Sequence, residues 1–187
     1  LGSGKTLSAI GVCEEMREYL KQMGITKKIM IVASPNVQYN FRTQLFDERK
    51  LKLVDGLWTT RDIIGSKFIK EVNPMNMTGL SKERMITQVN SIINNSYAFY
   101  GYIEFANYIE KVQTLKGDYK TEKQRQLRIE KNLQNEFDNR LLVIDEVHNI
   151  VSESGTFYTT FKKLIDNAPD SFRIVIMTAT PIYDKPA

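Results

Sequence analysis

Three runs of apolar residues carry almost no polar interruption: Ile29-Met30-Ile31-Val32-Ala33, Leu141-Leu142-Val143-Ile144 and Phe172-Arg173-Ile174-Val175-Ile176-Met177. A strand with one wet face would alternate apolar and polar residues. These runs instead predict strands buried on both faces, as in a parallel sheet covered by helices. A further aromatic run over 97–102 reads as a strand, and residues 51–58 read as a short one interrupted by Gly56.

Between the runs the apolar spacing changes from continuous to helical. A first helix is predicted over 5–23, with Leu7, Ile10, Met16 and Leu20 inward and Gly24 as its stop. A second starts near Val37 and carries Phe41, Leu45 and Phe46. A third follows Asp62, with Ile63, Ile64, Phe68 and Ile69 inward. Residues 73–79 form a loop by their Asn, Pro, Thr and Gly content. A helix over 81–94 buries Met85, Val89, Ile92 and Ile93, and Asn94-Asn95-Ser96 breaks it. Helices are predicted over 103–112 and 157–165, the latter with Phe161 and Leu164 inward. A charged helix over 119–135 has only a thin apolar stripe of Ile129, Leu133 and Phe137, and reads as a solvated helix anchored along one line. Strands alternate with helices, so the fold class is α/β with a mainly parallel β-sheet flanked by helices.

Composition narrows the function classes. The 187 residues suffice for one domain with a proper core, and 42% apolar with 26% charged residues is ordinary for a globular protein. No apolar run approaches membrane-spanning length, so no membrane partner is expected. One cysteine, Cys13, forbids an internal disulfide and points to an intracellular, reducing compartment. One cysteine and one histidine also argue against a zinc site. The net charge of +4 permits a polyanionic partner without demanding one. The chain opens with Leu1 inside a motif and stops just after another, which reads as a fragment of a longer protein.

Three short motifs carry chemistry. Gly2-Ser3-Gly4-Lys5-Thr6 matches the second half of a phosphate-binding loop. Glycines let backbone N–H groups turn toward phosphates, Lys5 reaches the β- and γ-phosphates, and the Thr6 hydroxyl binds Mg2+. The helix that follows presents its positive end to the same oxygens. An ordinary Gly-Ser turn with a solvated Lys5 would look similar. Asp145 and Glu146 end the strand over 141–144, at the edge where open α/β sheets bind ligands. Asp145 is suited to hold Mg2+, and Glu146 to deprotonate an attacking water. A surface acid pair capping a helix is the plainer alternative. Thr178 and Thr180 end the last strand and are placed to hydrogen-bond His148 or an acid of the pair, although hydroxyls before Pro181 are also a common turn.

The order of these motifs resembles motifs I, II and III of superfamily 2 helicases and translocases. Asp145-Glu146-Val147-His148 is similar to the DEAH-type variant of motif II. The resemblance covers nearly the whole chain as a first RecA-like domain, 1–187, truncated at its N-terminus. It implies that Ser34, Pro35 and Asn36, at motif Ia, contact nucleic acid, and it places Tyr100-Gly101-Tyr102 near motif Ib. The ending over 177–186 resembles helicases of nucleocytoplasmic large DNA viruses, among them proteins similar to the poxvirus early transcription factor ATPase and viral Swi/Snf-type enzymes. A viral source would put the protein in the virion or the host cytoplasm. The first glycine of motif I, the adenine-reading segment and the second RecA-like domain lie outside the chain. About 140 residues separate Lys5 from Asp145, more than such a domain needs, so 113–138 reads as a charged helical insertion.

The implied enzyme is an ATP hydrolase with ATP and Mg2+ as cofactors. Gly2, Ser3, Gly4, Lys5 and Thr6 would hold Mg-ATP, Asp145 the metal, and Glu146 the water. His148, Thr178 and Thr180 would report the γ-phosphate state to a nucleic-acid surface. The implied partners are nucleic acid, with DNA favoured over RNA, a second RecA-like domain, and RNA polymerase or other transcription machinery. Two alternatives stand beside this reading: a phosphate-loop ATPase acting on protein partners, and a transcription-factor subunit acting mainly by recruitment.

Overall fold

The computed structural model describes residues 3–114, 119–145 and 155–177. Four strands form its main sheet: β1 (Ile29–Val32), β4 (Tyr97–Tyr100), β5 (Leu141–Asp145) and β6 (Arg173–Met177). All pairs are parallel, in the order β4-β1-β5-β6. Parallel neighbours need long crossovers, and helices supply them. These are α1 (Ser3–Gln22), α2 (Pro35–Leu45), α3 (Ile63–Val72), α4 (Lys82–Ser96), α5 (Tyr102–Gln113), α6 (Glu122–Phe137) and α7 (Gly155–Asn167).

The uninterrupted apolar runs of β1 and β5 follow from two cores, one on each face of the sheet, whereas β6 departs from the expectation of full burial: it ends the described sheet, with Ile174 and Val175 half-buried and Ile176 exposed. Along β1, Ile29 and Ile31 point to one face and Met30 and Val32 to the other, as the two-residue strand period requires. The first face is covered by α1 to α4, through Ile10, Phe41, Phe68, Met85 and Ile93. The second is covered by α5, α6 and α7, through Phe105, Ile109, Leu133, Phe137 and Leu164. The stripe Ile129, Leu133 and Phe137 on charged α6 is therefore core: all three are buried. Leu133→Ala is expected to cost about 2–5 kcal/mol, seen as a lower urea midpoint with an unchanged slope. An unchanged midpoint would mean that α6 rests on the domain without holding it together.

Several expectations need correction. Leu7 is 49% exposed, because the inward face of α1 runs through Thr6, Ala9, Ile10, Cys13 and Leu20 instead. Ile63 likewise faces outward on α3. Asn94-Asn95-Ser96 does not break α4, which runs to Ser96 and ends only where β4 begins. Residues 51–58 are not one strand but most of an antiparallel hairpin, β2 (Lys52–Val54) with β3 (Leu57–Thr59). Its turn is Asp55-Gly56, both at positive φ (51° and 78°), the backbone a tight two-residue hairpin prefers. Gly24, at φ 67°, does end α1, with the Ile25 N–H closing on the Leu20 carbonyl at 2.9 Å. Among the described residues, no helix is long and apolar enough to cross a membrane.

Candidate nucleotide site

The carboxyl ends of the parallel strands share one edge of the sheet. Val32 of β1 pairs with Ile144 of β5, and Asp145 pairs with Met177 of β6. Asp145 is the last residue of β5 and is only 5% exposed. A carboxylate so buried needs a partner, since isolated charge is costly in a low-dielectric setting. Lys5 supplies one: its Nζ lies 3.4 Å from Asp145 Oδ1. The pair joins the first turn of α1 to the end of β5 across 140 residues of sequence.

The cation is not sealed in. The Lys5 side chain keeps 28% of its surface exposed, against 6% for Asp145. An incoming anion can therefore reach the ammonium while the carboxylate stays fixed beneath it. Thr6 follows Lys5 and turns its buried side chain toward the protein. On the other side of Lys5, a Cβ added to Gly4 would meet nothing within 4 Å, so space is open there. These groups sit at the N-terminus of a 20-residue helix, whose unsatisfied amides favour anions.

The donor set suits magnesium bound together with phosphate. Among the described residues, no group of three or more His, Cys, Asp or Glu could hold a metal ion unaided. Mg2+ does not need such a cage, because it keeps several waters and takes one or two carboxylates plus phosphate oxygens. Asp145 and the Thr6 hydroxyl would hold it, Lys5 would hold the phosphates, and the ion would supply charge neutralisation for the transferred phosphoryl group.

One contact was not legible beforehand. Tyr102, in the first turn of α5, donates its hydroxyl to the Asp145 main-chain carbonyl at 2.6 Å. Burial, and then the Asp145 charge, push the phenol above its usual range, so it stays protonated and remains a donor. The sequence places Tyr102 in a strand over 97–102 and, by resemblance, near motif Ib; instead β4 ends at Tyr100, Gly101 caps α5 and Tyr102 opens that helix, and nothing in the sequence marks its target.

The remaining expected site residues fall in two groups. Ser34, Pro35 and Asn36 sit at the same sheet edge, directly after β1: Ser34 is the N-cap of α2, Pro35 opens the helix, and Pro35 and Asn36 are exposed. They follow the carboxyl end of β1, the strand paired with β5. Gly2, Glu146, His148, Thr178 and Thr180 lie outside the described residues, and of Ser3 only its place at the head of α1 is described.

Comparison with known proteins bears on this geometry. Residues 1–183 match the family model described as type III restriction enzyme, res subunit, or ResIII. The chain belongs to the ResIII family. ResIII domains are N-terminal domains of superfamily 2 helicases, an ATP-hydrolysing class of enzyme, and the four-stranded parallel sheet agrees with that fold. A protein of Acanthamoeba polyphaga mimivirus, provisionally named an ATP-dependent RNA helicase, is 33% identical over 186 residues. The match covers 100% of this chain but 26% of that relative, so this ResIII chain spans about a quarter of its length. No solved structure matches the chain.

Proposed function

We propose that this domain binds Mg-ATP between α1 and β5 and hydrolyses it to drive movement of a larger protein along nucleic acid. The Lys5–Asp145 pair carries this reading, because it brings the phosphate-loop cation to the strand-end carboxylate at 3.4 Å. Lys5 would hold the phosphate oxygens, and Asp145, with the Thr6 hydroxyl, would hold Mg2+, whose charge would neutralise the transferred phosphoryl group. Glu146, the next residue, takes the proton of the attacking water. Asp145-Glu146-Val147-His148 acts as a DEAH-type motif II, and His148, Thr178 and Thr180 relay the γ-phosphate state.

The track is nucleic acid, contacted in part through Ser34, Pro35 and Asn36, directly after β1. The name of the mimivirus relative favours RNA; the sequence-based expectation favours DNA. A second RecA-like domain completes the nucleotide site, and its arginine would add on the order of 10³-fold or more to the rate. The mimivirus relative supports a protein of the large DNA virus type, and the transcription machinery is a partner on the sequence resemblance alone.

The test is the ATPase rate of the full-length protein with no polymer, single-stranded DNA, duplex DNA and RNA. Strong stimulation by one polymer establishes the motor and names its track. Hydrolysis indifferent to every polymer defeats the motor reading and leaves an ATPase directed at protein partners.

A further inference from the structure

We propose that Tyr102 is a positioning residue for the metal side of this site, holding the end of β5 through its hydroxyl and the start of α7 through its ring. The inference rests on the Mg-ATP reading above. Its geometry is unusual for the topology. Tyr102 follows β4, yet β4 is not a neighbour of β5, because β1 lies between them. Adjacent strands are about 4.8 Å apart, so a group leaving β4 must reach over the end of β1 to touch β5. Tyrosine combines that length with a donor at its far end.

Both of its contacts bear on the same stretch of chain. The hydroxyl meets the carbonyl of Asp145, the last described residue before 146–154. The ring meets Phe157, in the first turn of α7, edge-on at 5.6 Å and 89°. Tyr102 thus touches Asp145 just before 146–154 and Phe157 just beyond it. It is itself held in place: Gly101 caps α5, and the Ala33 N–H binds the Tyr100 carbonyl at 3.0 Å, tying the end of β4 to that of β1. The Asp145 carboxylate leaves the same residue whose carbonyl Tyr102 holds. Fixing that peptide fixes the direction from which the carboxylate meets a cation, as partners behind a metal ligand do in general.

The experiment compares wild type, Tyr102→Phe and a matched control in the full-length protein. Phenylalanine keeps the ring on Phe157 and removes only the hydroxyl. Tyr97→Phe is the control, since it removes a hydroxyl that binds Glu14 Oε2 at 2.5 Å, away from the nucleotide site. Binding of a fluorescent ADP analogue is titrated with Mg2+ and with EDTA, and melting temperatures are recorded. Tyr102→Phe is expected to weaken binding in Mg2+ by about three- to tenfold and leave binding in EDTA unchanged. Tyr97→Phe is expected to change neither, whatever it does to the melting temperature. Wild-type binding in Mg2+ by Tyr102→Phe, or an equal Mg2+-specific loss in Tyr97→Phe, would overturn the positioning role and leave the nucleotide site standing. Wild type that binds ADP equally in Mg2+ and EDTA would overturn the metal role of Asp145 and this inference with it, and wild type that binds ADP in neither would overturn the nucleotide reading itself.

Discussion

Replacing Lys5 with alanine is expected to reduce ATP turnover about 10²–10³-fold, the scale of losing one preorganised donor to transition-state charge. Two effects act together. The γ-phosphate loses the cation that would neutralise charge on its oxygens, and Asp145 loses the partner 3.4 Å away that compensates its burial. Lys5→Arg is not expected to rescue the rate. Its planar fork is wider than an ammonium and would have to fit the space now spanned by one nitrogen. Single-turnover hydrolysis, with nucleotide binding measured in parallel, separates lost chemistry from lost affinity. The Asp145→Asn background adds a second check. Removing both partners should cost less than the two single losses combined, because no buried Asp145 carboxylate is then left without its partner. Turnover by Lys5→Ala within about threefold of wild type would mean that the ion pair is structural and that the nucleotide binds elsewhere.

Much of this arrangement could be read from residue order, and the physical reason differs from element to element. The strand over 141–144 was legible because burial on both faces leaves no room for polar residues; the one over 172–177 shows the same apolar run, although β6 ends the described sheet and leaves Ile176 exposed. The α6 stripe was legible as Ile129, Leu133 and Phe137, spaced four apart, but its depth was not, since a charged helix with three inward residues looks alike whether it lies on a surface or closes a core. On α1 the inward face includes Thr6 and Cys13, and spacing of the large apolar residues alone pointed to Leu7 instead. The hairpin carried a clear signal in Asp55-Gly56, two residues whose positive φ values reverse the chain, although apolar content alone suggested a single strand. In the site, residue type revealed Lys5 and Asp145, since both belong to motifs. Only the fold brings them together, by setting α1 against the end of β5. Tyr102 was hidden for a related reason: its target is a main-chain carbonyl, which every residue has, and its reach depends on the strand order β4-β1-β5.

Glu146→Gln should separate catalysis from binding more cleanly than any change at Lys5 or Asp145. Glu146 follows Asp145 directly in sequence, and at Asp145 the backbone is held by the β5–β6 pairing with Met177 and by the Tyr102 bond. Glutamine keeps the shape and the acceptor oxygen but cannot take a proton at neutral pH. Turnover is therefore expected to fall about 10²–10⁴-fold, the range for losing a positioned general base. ATP affinity should hold or rise, since one negative charge beside the phosphates is removed. Asp145→Asn should behave differently: its main expected effect is a higher Mg2+ requirement, because a carboxylate suited to the cation is lost. Mg2+ titrations of both variants under single-turnover conditions distinguish the two roles. A large Mg2+ shift in Glu146→Gln with turnover restored at saturating metal would move Glu146 from base to metal ligand. A Glu146→Gln variant that turns over at the wild-type rate would remove Glu146 from the chemistry and require the base to come from another part of the full-length protein.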